Sequence, residues 1–139
     1  MKRLKLTLLL AAFALATSFG YAQTTDTATI TPKHDVNVFV GENLNSGKQT
    51  KESILEHPYL SAKDPNNEIQ WDVVSYLVVF VVNGREEAPI SITGARFSEK
   101  VIAKIQSAQS GTIIEFADIR IQSVAGTRTI VRPILVRIQ

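Results

Sequence analysis

Residues 71–82 read WDVVSYLVVFVV, and ten of these 12 residues are apolar. Six of them are Val, whose branching at Cβ suits a pleated strand better than a helix. The run is too short for a membrane span, which needs about 20 apolar residues. It therefore reads as a central strand, covered on both faces. Asn83-Gly84 follows at once and supplies the two positive-φ residues of a tight hairpin. The returning partner is expected within Arg85–Thr93, where Pro89 lacks a ladder donor and points to a sheet edge or a bulge.

C-terminal to this hairpin, a helix is expected over Ser98–Ser110. Ser98 is placed to cap the first free amides, and Glu99 sits near the positive end of the dipole. Val101, Ile102, Ile105 and Ala108 make one apolar stripe, and Gly111 fits a stop. Ile113–Gln122 reads as a strand with Ile119 and Ile121 inward and Asp118, Arg120 and Gln122 outward. Ala125-Gly126 marks a reversal, and Arg128–Ile138 is the closing strand. Ile130, Ile134, Val136 and Ile138 share one of its faces, and Pro133 again points to an edge or a bulge. N-terminal to the central strand, Val36, Val38 and Val40 alternate with Asn37 and Phe39, and Gly41 ends that short strand. Asn43–Gln49 is a polar loop. Thr50–Leu55 fits a helical turn or a strand equally well, while His57-Pro58 and Asp64-Pro65-Asn66-Asn67 are turn signals.

The 139-residue chain is 45% hydrophobic and 20% charged, with no Cys, which is ordinary composition for one globular domain. Its first 22 residues have a pattern of their own. Lys2, Arg3 and Lys5 precede a mostly apolar stretch from Leu6 to Phe19, and Gly20-Tyr21-Ala22 places small residues at positions −3 and −1 of a cut. That is the pattern of a secretory signal peptide cleaved before Gln23. The chain is thus expected to be exported, to the periplasm or beyond, with no membrane span after cleavage. The formal charge of +2 then falls to −1, because 12 Lys and Arg remain against 13 Asp and Glu. A nucleic-acid partner is excluded on that basis. Thr-rich residues 23–35 form a lead-in, and residues 36–139 a single domain. Beyond Ala22 there are 27 Val and Ile against 5 Leu. The expected fold class is mainly β, an antiparallel β-sandwich-like domain with one packed α-helix.

Chemistry is sparse. His34 and His57 are the only histidines, and neither has a second ligand type at metal spacing. There is no thiol, no Gly-x-Ser-x-Gly elbow and no Gly-rich phosphate loop. Glu115 and Asp118 are the carboxylates best placed for acid–base work, but their odd separation assigns them to opposite faces of a regular strand. No enzyme activity and no cofactor or metal is expected. Trp71, Tyr59 and Tyr76 would make a sugar-stacking platform if exposed, which leaves a carbohydrate- or surface-binding β-sandwich as the alternative. The last 20 residues carry Arg120, Arg128, Arg132 and Arg137 without an acid. Arg128, Arg132 and Arg137, on a strand expected at the edge, are the candidate partner-binding residues; cations that deter edge aggregation are the plainer reading.

The segment ISITGARFSEKVIAKIQSAQSGTIIEFADIRIQSVAGTRTIVRPILVRI, which ends at Ile138, resembles the C-terminal domain of the gliding-motility protein GldM. The positions that carry the likeness are Gly94, Phe97, Ser98, Gly111, Phe116, Asp118, Ile119, Gly126 and Arg128. Upstream, VNVFVGENLNSGKQTKESI and the start of the WDVVSY strand are similar to the family's opening and central strands. The resemblance implies a non-catalytic, structural and partner-binding module of the cell envelope in Bacteroidetes, linked to gliding motility and type IX secretion. It also implies outer-membrane secretion components as partners and admits a homodimer. Phe116 and Ile119 are implied core residues, Gly94 and Gly111 serve backbone geometry, and Asp118 satisfies a turn. The inner-membrane helix and the energy coupling of GldM do not carry over, since only the last domain is matched.

Export with cleavage after Ala22 has a direct test. Protein recovered from the periplasm or medium should have the mass of Gln23–Gln139. Retention of Met1–Ala22 in that fraction counts against it.

Overall fold

In a computed structural model of the protein, residues 36–66, 68–130 and 132–139 are described. The expected signal peptide, the lead-in and His34 lie outside them. The elements are β1 (Asn37–Val40), β2 (Gly47–Gln49), α1 (Lys51–Glu56), β3 (Leu60–Lys63), β4 (Gln70–Val82), β5 (Arg85–Glu86), β6 (Ile90–Thr93), α2 (Glu99–Ser107), β7 (Ile113–Ser123), β8 (Gly126–Ile130) and β9 (Ile134–Ile138). The fold is mainly β with helices packed on the sheet. All nine strands belong to one sheet with the path β1-β3-β4-β7-β9-β2, while β5 and β6 join β4, and β8 joins β7.

The WDVVSYLVVFVV run lies in the central strand, flanked by β7 on one side and by β3, β6 and β5 in succession on the other. Asn83 (φ 51°) and Gly84 (φ 76°) make the hairpin, and Val82 pairs with Arg85 across it. The returning strand breaks at residues 87–89, where Pro89 supplies no donor, so β5 and β6 are separate short edge pieces. One face of β4 is fully buried: Trp71, Val73, Tyr76, Val78 and Phe80. The opposite face, Leu77, Val79 and Val81, is only half-buried, which corrects the expectation of full cover on both sides.

The buried set on β4 switches parity between Val73 and Tyr76, and that on β7 does so between Phe116 and Ile119. Both switches are β-bulges. The β4–β7 register steps from Val73↔Ile121 to Ser75↔Arg120, then to Leu77↔Ala117, so each strand carries one extra residue. On β7 the extra residue is Asp118, held at φ 51°, a left-handed conformation that Asp tolerates better than most residues. Both bulges keep the large side chains inward. Phe116 stacks on Phe97 at 5.5 Å and tilts against Tyr76 at 6.3 Å.

The path has to curl. Val40 exchanges both backbone hydrogen bonds with Leu44, at 2.8 and 3.1 Å, and β2 begins at Gly47, three residues later. Three residues reach at most about 10 Å, whereas the ends of a flat six-strand path lie about 24 Å apart, five spacings of ~4.8 Å. The concave face encloses the core. β1, β3, β4, β6, β7 and β9 all contribute to it, with Ile54 of α1 and Val101 and Ile105 of α2. Gly41 (φ 63°) sits in this tight corner, where an added Cβ would meet His57 Cβ at 2.8 Å.

One open reading is settled and two elements differ from theirs. Thr50–Leu55 resolves to the helix α1, because the Thr50 side chain accepts the Ser53 amide at 3.2 Å and Ile54 faces the core. α2 ends at Ser107, not Ser110, and Gly111 (φ 92°) instead begins the entry to β7, its amide donating to the Ile138 carbonyl at 2.8 Å. The polar loop at Asn43–Gln49 contains the short strand β2, which pairs parallel to β9 and makes the sheet mixed.

Ile105 is fully buried in α2, so Ile105→Asp should abolish the cooperative melt. Truncation of a core aliphatic residue costs about 2–5 kcal/mol, an unpaired buried charge costs more, and domains have about 5–15 kcal/mol in hand. A wild-type thermal transition followed by circular dichroism would contradict this packing.

Candidate functional site

The three arginines read from the sequence do not form one strip. Arg128 lies on β8 opposite Ile121, a buried residue, so its side chain rises from the concave face. Its guanidinium lies 5.2 Å from the centroid of the Trp71 ring, a cation–π contact with a core indole. Arg137 is on β9 between buried Val136 and Ile138 and therefore projects from the convex face. Arg132 belongs to neither strand. It lies exposed in the link between β8 and β9, where Pro133 interrupts the expected continuous closing strand. β9 is not an edge, since β7 holds one side and β2 the other. The edge is β8, which pairs only with β7 among the described residues.

Arg132 marks the more informative surface. It lines a slot of about 500 Å³ between two strand edges. Val36, Asn37 and Val38, at β1, contribute one part of the lining; Ile130, Pro133 and Ile134, at β8 and β9, contribute another, with Asn45 and Ser46 beside them. Among the described residues β1 pairs along its length with β3, and its other side carries only the bridge from Val40 to Leu44. The amide of Leu135 donates to Ser46 Oγ at 3.1 Å, a side chain standing in where β2 falls short of β9. Among the described residues the only ion pair is Lys104–Glu87, so Arg132 has no carboxylate partner there. Asn37, Asn45 and Ser46 were not signalled by the sequence. Nothing local reports that β1 and a link about 90 residues later border one slot.

The other candidates separate as follows. Trp71 and Tyr76 are core residues, 5% and 1% exposed, so they cannot stack on a sugar; Tyr59 is half-buried. The Tyr76 hydroxyl donates to the Ala95 carbonyl at 3.0 Å, and burial raises its pKa above the ordinary phenol value, keeping it protonated. The bulge at Asp118 overturns the parity argument for the carboxylates: Glu115 and Asp118 both project from the convex face. Asp118 lines a shallow hollow of about 220 Å³ with Ser75, Ser91 and Arg120, and Glu115 is not part of its wall. His57 is exposed and meets Tyr59 edge to face at 6.1 Å. No group of three His, Cys, Asp or Glu able to hold a metal occurs among the described residues. No helix there is long and apolar enough to cross a membrane.

No known family model matches the chain, and no curated protein is significantly similar to it.

The split between the arginines predicts different costs of charge reversal. Arg128→Glu removes a cation–π contact worth about 0.5–2 kcal/mol, which at about 4–8 °C per kcal/mol should lower Tm by several degrees. Arg132→Glu and Arg137→Glu should leave Tm within about 2 °C, as exposed substitutions do. Equal melting temperatures for all three variants would contradict the placement of Arg128 on Trp71.

Proposed function

We propose that this chain is an exported, non-catalytic protein-binding module of the cell envelope, and that it binds by accepting an extended segment of a partner in the slot between β1 and β8. The observation that carries the reading is the slot itself, bordered by two strands that, among the described residues, form a ladder on one side only. An unpaired strand edge offers backbone donors and acceptors to an incoming strand, and the neighbouring side-chain positions set specificity. Arg132, exposed and without a carboxylate partner among the described residues, favours an acidic segment and would raise its rate of capture. The signal-peptide pattern in Met1–Ala22 supports export. The resemblance to the GldM C-terminal domain supports a place in the gliding or type IX secretion apparatus and an outer-membrane component as the partner.

The test compares capture from cell-envelope extracts by wild type, Arg132→Glu, Asn37→Trp and Arg120→Glu. Arg132→Glu reverses the charge at the slot, Asn37→Trp fills it, and Arg120→Glu makes the same charge change on the convex face. A protein held by wild type and Arg120→Glu should be lost, by about tenfold or more, from the two slot variants, and its capture should fall with added salt. Thermal melts of all four proteins establish that each is folded. Equal capture by all four would remove the slot from consideration.

A further inference from the structure

The open side of β1 has a definite hydrogen-bonding pattern. The Gly41 amide donates to the Tyr59 carbonyl at 2.6 Å, one step beyond the Val40↔Leu60 pair. Antiparallel strands alternate the direction of their backbone groups, so Asn37, Phe39 and Gly41 turn theirs toward β3. Val38 and Val40 turn theirs the other way. Val40 shows this directly, since it exchanges both its bonds with Leu44. Val38 comes two residues earlier, and neither its amide nor its carbonyl has a partner among the described residues. The Val36 carbonyl joins them, because it points opposite to the Asn37 amide in the same planar, trans peptide. Three backbone groups thus face the slot, whose wall includes Val36 and Val38. Val38 is only 7% exposed, and backbone groups at buried positions are nearly always paired.

The sheet also sets the direction of a strand that would pair with them. β1 is antiparallel to β3, β3 to β4, β4 to β7, and β7 to β8. β1 and β8 therefore run the same way, and a strand laid between them in the opposite sense is antiparallel to both. Leu44 already holds the place opposite Val40, so the open ladder runs from Val38 toward Val36. A residue opposite Val38 exchanges both bonds with it and shares its face. That face is the concave one, where Val38, Ile130 and Ile134 make an apolar wall. The residues on either side of it point outward, as Asn37 does. Arg132 is the one charged residue on the wall among the described residues, exposed and without a carboxylate there. Taking the slot as the binding site, on which this inference rests, we propose that its partner segment is an antiparallel strand in which aliphatic residues alternate with acidic ones. An aliphatic residue docks opposite Val38, and the acidic side chains, turned outward, answer Arg132.

The probe is a blocked peptide of alternating valine and glutamate, added to isotopically labelled protein expressed from the full-length sequence. In the free protein the Val38 amide should exchange with solvent about tenfold or more faster than the Phe39 amide, which β3 holds. Peptide at about 1 mM should slow Val38 exchange by about tenfold. Lysine in place of the glutamates should weaken binding by about tenfold. Ester linkages that remove the N–H groups of the valines should do the same, since those groups bond to β1. Esters at the glutamates should cost less, because their amides turn toward the side that Pro133 interrupts. A nitroxide at the N-terminal end of the peptide should broaden the Asn45 and Ser46 amides more than that of Val36. A Val38 amide already protected in the free protein, or no binding at about 1 mM, overturns the proposal. So do esters that cost the same at both positions, or broadening in the reverse order. Capture from envelope extracts keeps the two readings apart. A protein lost from Asn37→Trp but bound by wild type without protection of Val38 leaves the slot standing and overturns the strand alone.

Discussion

The pairing of β4 with β7 is the constraint on which the rest of the structure depends. Neither strand could serve the core along its whole length as a regular ribbon. Trp71 and Val73 would face one way, and Tyr76, Val78 and Phe80 the other. Phe116 would likewise part from Ile119 and Ile121. One extra residue in each strand resolves both conflicts near the same point, so the two inner faces change parity together and stay matched. The aromatic cluster of Phe97, Phe116 and Tyr76 lies just beyond that step, and the sheet bends around it. The bulge residue Asp118 is thereby tied to the core without being part of it.

What the sequence revealed followed from what is local. The valine-rich run, Asn83-Gly84, the Ser98 cap and the alternation from Ile119 to Gln122 all act within a few residues, and each identified its element. Contacts between distant segments were not legible. β2 is three residues, Gly-Lys-Gln, with no apolar pattern, and becomes a strand only because Val136–Ile138 supplies its ladder. Position 118 carries no signal that it adds a residue to the register, so a parity count through Asp118 gives the wrong face for Glu115. The arginines show the same limit. Arg128, Arg132 and Arg137 look alike in sequence, yet one lies on an indole, one lies at a slot and one projects from the opposite face.

The domain divides its polar and apolar duties unevenly between the two faces of its sheet. The concave side is apolar, aliphatic residues and an aromatic cluster together, and the Tyr76 hydroxyl is satisfied there by the Ala95 carbonyl. Asp64 is another polar residue accommodated in the interior. It is buried, and Oδ1 accepts the Asn66 amide at 3.0 Å, so its carboxylate shapes the turn into β4. The convex side interleaves aliphatic and charged side chains: Glu115 stands between Val79 and Leu135, and Arg137 beside Ile113.

The position of β9 imposes an order of events on the folding chain. It lies between β7 and β2, so the second strand of the domain has no ladder partner until β9 has been made. A growing chain can form the β4–β5 hairpin and α2 early, because their contacts are local. It cannot complete the ladder from β7 to β2 before β9 is made. Completion waits for Ile138, whose amide and carbonyl engage Thr112 and Gly111. The finished packing of the first strands therefore depends on a segment about 90 residues away in the chain.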